Sequence, residues 1–436
     1  MTDGVRPTAR NVAAYSSYAL TLRDLARQTS AGNLEPTSPR IAAALDGQAA
    51  TALRDLIRLP TRRRYGAFFT PRRLARLMVA PWARHLDENS QIYDPACGAA
   101  DLLLAAAEHL PIGKTLGKTL ERWEEQLAGR DLHPPFIRAA KARLLLMATA
   151  RLGKTTLPDV DPDRLFRQVR VGDGLSDEAV SVDATHLVMN PPFSRVRVRT
   201  GWSRGGVSAA AVFVDSHVAP RRHGEQFVAL LPDVLRSGTN YQRWRDVVAG
   251  QLDGDATADI LGRFDDDVDI DVFILRGRIT ERSSRHLQWW PPTSAMRVGD
   301  RFKVSVGAVV PHRDPKIGAW RPFADTNSVP PWKEVLTRDL NRRRFAGASF
   351  RTPFVVVRRT SAAGDSKRLV ASIVRGGGDV AVENHLLVLR PLDQTLTTCR
   401  ELVAFLETGV GDEWLDKRIR CRHLTVTTLR DCPWRR

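Results

Sequence analysis

A chain of 436 residues with 43% hydrophobic and 26% charged residues has the composition of a soluble globular protein with room for at least two domains. No apolar run reaches eighteen residues, and the first thirty, which carry Asp3 and Asp24 among their arginines, hold no continuous apolar stretch, so no membrane span or secretory signal is expected and the protein is placed in the cytoplasm. Lys plus Arg number 66 against 49 Asp plus Glu, a formal charge of +17 that favours a polyanionic partner, because each phosphate neutralised by a cation releases condensed counterions.

From Asn11 to Leu59 the apolar residues, among them Tyr18, Leu22, Leu25, Ile41, Leu45, Leu53 and Ile57, recur at helical spacing around the stretch "TSAGNLEPTSPR". This predicts a helical N-terminal segment over residues 1–59. In "YGAFFTPRRLARLMVAPWARHL", Thr70 is placed as an N-cap and Pro71 at the first helical position. Between Gln91 and Arg276 the runs "QIYD", "QLAGRDL", "QVRVGD", "THLVMN", "QFVALLP", "ADILGRF" and "DVFILRG" read as strands, with helices over 101–110, 134–150, 209–222 and 240–252. Such alternation implies an α/β fold with a mainly parallel sheet, whose ligand sits beyond the carboxyl ends of the strands.

Those strand ends carry the chemistry. In "YDPACGAADLLLAAAEHL" Asp94 closes a strand and Gly98 permits a tight turn into a helix, an arrangement that presents backbone N–H groups to a nucleotide. The next strand ends in "GRDLHP", placing Asp131 where a ribose is commonly held, although "LPIGKTLGKTLERWEEQ" intervenes as an apparent insertion. The third ends in "VGDGL", which places Asp173 to accept a hydrogen bond from an exocyclic amine such as that of adenine. In the fourth, "THLVMNPPFSRV", Pro191 and Pro192 stop the ladder and fix the exit. That exit aims the Asn190 side-chain carbonyl and a neighbouring backbone carbonyl at one point, with Phe193 as a stacking surface for a planar base bearing an amino group. Stacking of this kind contributes about 1–3 kcal/mol, comparable with the cost of extruding a base from a duplex.

In their order, "FFTP", "DPACGA", "GRDLHP", "VGDGL", "MNPPF", "GEQFVALLPDVL" and "DVFILR" resemble the amino-group DNA methyltransferases that modify N6 of adenine, and among them the modification subunits of type I restriction-modification systems. The resemblance covers about residues 60–280 and implies a Rossmann-like, S-adenosylmethionine-dependent methyltransferase domain over 60–285. It implies that Thr70 and Pro71 lie near the methionine part of S-adenosylmethionine, Asp94, Ala96 and Gly98 around its amino acid portion, Asp131 on the ribose hydroxyls and Asp173 on the adenine amine. Asn190 and Pro191 would bind the target N6, with Pro192 and Phe193 completing the catalytic turn and Phe193 stacking on the flipped base. No metal or nucleophilic side chain is required, and Cys97 is a packed small residue. Where the family usually has a second glycine, this chain has Ala100. That departure keeps open a non-catalytic DNA-binding subunit, and the Asn-Pro-Pro-aromatic turn is shared with RNA and protein-glutamine methyltransferases.

Past a boundary near 285–295 the pattern changes to short strand-like runs, "FKVSVGAVV", "PFVVVRR", "RLVASIV" and "NHLLVLRP", with one helix near 395–408. This predicts a smaller C-terminal α+β domain over 295–436. The basic stretches "NRRRF" and "VVVRR", near Trp320, Trp332 and Phe345, suit a DNA target-recognition domain, and "HLTVTTLRDCPW" faintly resembles the closing segment of such domains. The expected partners are therefore double-stranded DNA and, by resemblance, a specificity or restriction subunit. Cys399, Cys421, His423 and Cys432 lack C-x-x-C spacing, so no metal site is assigned.

Overall fold

Five helices open the chain in the computed structural model, which describes residues 12–153, 156–221, 223–265, 268–281, 287–290, 296–361, 365–420 and 422–434: α1 (Tyr15–Ser30), α2 (Pro39–Leu45), α3 (Gln48–Leu56), α4 (Leu59–Tyr65) and α5 (Arg72–Val79). Ser38 caps α2 by accepting from the Arg40 amide, with Pro39 at the first turn where no intrahelical bond is lost. Helix α1 is tied into the unit that follows. The Tyr15 ring meets Phe69 and Phe136 edge-on at 5.8 and 5.0 Å, and its hydroxyl donates to the Ala49 carbonyl. Helix α5 starts one residue later than the sequence suggested: Pro71 is its N-cap, at φ −54° and ψ 137°, and Thr70 lies outside the helix.

Nine strands follow, β1 (Ile92–Asp94), β2 (Leu127–Asp131), β3 (Val169–Val171), β4 (His186–Met189), β5 (Arg195–Arg199), β6 (Arg204–Ser208), β7 (Gln226–Pro232), β8 (Thr257–Asp265) and β9 (Val268–Arg278). Between them run α6 (Asp101–Ala107), α7 (Leu116–Gln126), α8 (Pro134–Leu152), α9 (Asp177–Val180), α10 (Ala209–Val218), α11 (Asp233–Ser237) and α12 (Gln242–Gln251). Seven strands form one sheet in the order β3-β2-β1-β4-β7-β9-β8, parallel from β3 to β7, with β9 antiparallel to β7. Strands β4 and β7 are buried almost throughout, which is why they read as unbroken apolar runs. Chain order reverses between β1 and β4, the switch point where open α/β sheets bind ligands.

Two readings change. The apparent insertion contains α7, capped by Thr115 accepting from the Lys118 amide and packed through Leu116, Leu120 and Trp123 at helical spacing. Directly after the proline turn, β5 and β6 pair as an antiparallel hairpin that was not among the expected strands.

A second compact unit takes residues 236–241 and 262–271 together with those from 288 onward. Its strands are β10 (Phe302–Val306), β11 (Ala319–Ala324), β12 (Glu334–Leu336), β13 (Arg342–Phe345), β14 (Phe350–Arg351), β15 (Phe354–Arg358), β16 (Ala371–Arg375), β17 (Asp379–Val382) and β18 (Leu386–Pro391). They form sheets ordered β10-β18-β15-β16-β12 and β13-β11-β17-β14. Period-two alternation along β15 sends Val355 and Val357 into a core with helices α13 (Leu396–Glu407), α14 (Val410–Arg418) and α15 (Val426–Asp431), and Phe354 and Val356 into a second core on the other face. The tail that resembled a recognition-domain closure is part of the first of these cores, where Trp434 is buried against Phe302. Among the described residues no helix is long and apolar enough to cross a membrane.

Candidate active site

Each residue singled out at a strand end is held by the loop beside it. Asp94 is the last residue of β1 and 1% exposed, and its Oδ1 accepts from the Ala96 amide at 3.0 Å. Burial pushes its carboxyl up to about 8; the nearby Asp131 and Asp101 act in the same direction and the Ala96 amide opposes. Asp131 ends β2 and joins two loops, accepting from the Gly98 amide through Oδ2 at 3.1 Å and from the His133 amide through Oδ1 at 2.8 Å. Burial raises its carboxyl as well, against the pull of His133 and of the two amides. Each of its oxygens keeps a lone pair for a hydroxyl donor. Gly98 sits at φ 53°, and a Cβ there would lie 2.8 Å from the Phe69 ring. The turn therefore needs glycine for both its conformation and its packing.

Cys97 is packed, as expected: its amide donates to the Arg130 carbonyl, and burial lifts its thiol well above the ordinary range, leaving it un-ionised. Ala100, which stands where a glycine was expected, occupies a left-handed position at φ 71° as N-cap of α6, fully buried, with its amide donating to the Cys97 carbonyl. Alanine thus holds the conformation that glycine would adopt with less strain, at a cost of about 1–2 kcal/mol.

Asp173 is exposed two residues beyond β3 and uses Oδ1 to accept from the Leu175 amide. The adjacent Gly174 is the residue that sequence reasoning passed over. A Cβ there would lie 2.0 Å from the Pro95 carbonyl oxygen, so only glycine lets this loop close on the turn after β1. From the other side, the buried His217 of α10 bonds the Gly174 carbonyl at 2.7 Å through Nε2, with burial driving its imidazole down to about 4.

The fourth strand end meets the segment before α5. Asn190, half-buried, donates from Nδ2 to Thr70 Oγ1 at 3.0 Å and to the Phe68 carbonyl at 3.4 Å, while its Oδ1 accepts no hydrogen bond from the described residues. Pro191 is buried; Pro192 and Phe193 are half-buried. Gly66, at φ 64°, was also passed over: a Cβ there would lie 2.3 Å from Pro192 Cβ. A glycine after a run of arginines looks like a plain helix stop, and nothing local announces that it seats a proline more than a hundred residues away. The structure thus links Thr70, Asp94, Ala96, Gly98, Asp131, Asp173 and Asn190 through a short chain of contacts along one edge of the sheet. That edge brings together two carboxyl groups, Asp94 and Asp131, the Asn190 amide and the close-approach glycines Gly66, Gly98 and Gly174.

Among the described residues no group of three or more His, Cys, Asp or Glu is placed to hold a metal ion; Cys421 lies outside them, and Cys399 and Cys432 are buried.

Residues 59–231 match the family model described as N-6 DNA methylase. Among solved structures, the type IIL restriction-modification enzyme MmeI in complex with DNA is 10% identical, with 88% of this chain and 70% of that chain covered at a TM-score of 0.54, which establishes a shared fold. A type I restriction-modification system solved for its complex assembly is 18% identical, covering 51% of this chain and 44% of that one at a TM-score of 0.38. The M protein of the type I restriction enzyme EcoKI is 15% identical, covering 62% and 64% at a TM-score of 0.36. This chain thus spans less than two thirds of the length of these two type I chains. No curated protein sequence matches it.

Proposed function

We propose that this chain, whose residues 59–231 match the N-6 DNA methylase family model, is a site-specific DNA methyltransferase that moves a methyl group from S-adenosylmethionine to N6 of an adenine rotated out of the duplex. The observation that carries the reading is the state of Asn190. Its amide nitrogen is committed to Thr70 and Phe68, which fixes the side-chain plane and leaves Oδ1 as an open acceptor beside a proline-locked carbonyl. Two acceptors so placed hold both protons of an aromatic amine, turn its lone pair out of conjugation and aim it in line with the methyl carbon, so catalysis is mainly orientation and electrostatic placement. Phe193 supplies the stacking face.

The residues present fit the cofactor. S-adenosylmethionine supplies an activated methyl group on a sulfonium. Asp94, a buried carboxyl on which no cation acts among the described residues, suits the α-ammonium of the methionine part, with the Ala96 and Gly98 turn around it. Asp131 suits the ribose hydroxyls, Asp173 the adenine amine, and Thr70 and Pro71 the methionine chain. Duplex DNA as the partner is supported by the +17 charge and by a fold shared with an enzyme solved on DNA. In this reading the second unit recognises the target sequence, a specificity or restriction subunit accompanies the chain, and the protein acts in the cytoplasm in restriction-modification or phage defence.

The test offers methyl-labelled S-adenosylmethionine to DNA, RNA and protein pools. Label on DNA adenine, lost with Asn190→Ala, is the expected result. Label on RNA or protein alone would replace this reading with the corresponding methyltransferase. Cofactor binding without transfer to any pool, even with neighbouring gene products present, would leave a non-catalytic subunit.

A further inference from the structure

The hairpin β5–β6 begins three residues after Pro192, so the catalytic turn and the hairpin are one continuous structure. In β5 the side chains alternate: Arg195, Arg197 and Arg199 are exposed on one face, with Val196 and Val198 half-buried on the other. Opposite this strand, Arg197 pairs with Gly206, so no side chain of β6 stands against it on the arginine face, and Arg199 pairs with a further cation, Arg204. Arg195 folds across the hairpin to the Gly206 carbonyl. Arg197 and Arg199 have no acidic partner among the described residues, whereas the exposed Arg76, Arg122, Arg167 and Arg400 do.

This face is held in place. Trp202 in the connecting turn is 5% exposed and its indole N–H donates to Asp215 of α10 at 2.9 Å, while the Ala209 amide donates to the Ser194 carbonyl at the base. On the other side of the proline turn, Gly66, which seats Pro192, is preceded by the exposed Arg63 and Arg64 in the last turn of α4. Cations thus flank the turn on both sides.

We infer that Arg197 and Arg199 bind the phosphates of the strand bearing the target base, so that the methylase domain itself grips the backbone beside the nucleotide it extracts, independently of any sequence reading by the second unit. The inference rests on the DNA methyltransferase reading. A planar guanidinium suits phosphate bidentately, and a rigid hairpin presents it with little ordering entropy to lose. Such contacts carry no base information, so they raise affinity for every sequence alike.

The test measures binding of the full chain to a short mixed-sequence DNA duplex across a salt series, comparing wild type, R197Q/R199Q and R197K/R199K, with S-adenosylmethionine binding as a check on folding. Two lost phosphate contacts predict a log–log salt slope shallower by about 1.8 in the glutamine variant, weaker binding at low salt and unchanged cofactor affinity, while the lysine variant, which keeps both charges, retains the wild-type slope. A glutamine variant that binds cofactor and DNA with the wild-type slope overturns the inference while leaving the methyltransferase reading intact. A wild-type chain that neither binds DNA nor methylates it sinks both.

Discussion

Two arginine-bearing antiparallel pairs, β5–β6 in the first unit and β11–β13 in the second, look alike in sequence and differ in what their charges do. In β13, Arg342 donates to the Trp320 carbonyl, Arg343 to the Asp314 carbonyl and Arg344 to the Gly318 carbonyl, and buried Arg343 also lies over the Phe323 ring at 5.6 Å. These guanidinium groups close loops of their own unit. In β5, Arg197 and Arg199 stand exposed. The same contrast holds for the polar groups at large: the ends of β1, β2 and β4 keep carboxyl and amide oxygens with spare acceptor capacity, whereas much of the second unit's polarity is spent internally, as at Arg368, which bonds Ser361, Asp416 and the Ile419 carbonyl. Net charge therefore identifies a kind of partner without saying which cations meet it.

Removing an open valence should break function with the fold intact. Asn190→Ala is expected to lower the rate of methyl transfer by about 10²- to 10³-fold, the scale seen when one placed polar group at a reacting centre is lost, with far less change in cofactor affinity; single-turnover kinetics beside a binding isotherm would show the split. Asp131→Ala acts one step earlier. It strips the Gly98 and His133 amides of their acceptor and removes the proposed ribose contacts, so calorimetry should find cofactor affinity lower by about 10- to 100-fold.

Acidity offers a finer probe of the same edge. Because burial holds the Asp94 carboxyl up to about 8, it is largely neutral below that pH, and an ammonium binds its ionised form. Cofactor affinity should therefore fall by about tenfold per pH unit on the acid side of 8, and Asp94→Asn should flatten that limb. In the second unit the contrast predicts the opposite outcome. Arg343→Gln should cost about 1–2 kcal/mol of that unit's stability in thermal unfolding without altering cofactor binding, and Arg344→Gln, exposed in the same strand, about 0.5 kcal/mol.

Much of the first unit was legible in the sequence because buried parallel strands write themselves as short apolar runs, and because a strand that ends in Asp or Asn-Pro-Pro declares its exit. The seven expected strands of the large sheet are present. What escaped was non-local. Gly66 against Pro192 and Gly174 against Pro95 are close approaches between segments far apart in the chain, and Thr70 looked like a helix cap until Asn190 was seen to bond it. The hairpin escaped for a different reason: alternating Arg and Val offers a short, weakly apolar face that resembles a charged loop. In the second unit the strands with valine-rich cores were readable, and β11, β12, β13, β14 and β17, short or arginine-laden, were not.

In the proposed function the strand ends converge to deliver a methyl group to adenine in DNA. Sequencing genomic DNA from the source for N6-methyladenine, with the gene intact, deleted, and restored as Asn190→Ala, tests it most directly. Methylated adenines in a defined sequence context should vanish on deletion and not return with the variant. An adenine methylation pattern indifferent to the gene, in cells where the chain is made and binds S-adenosylmethionine, would contradict the proposed function.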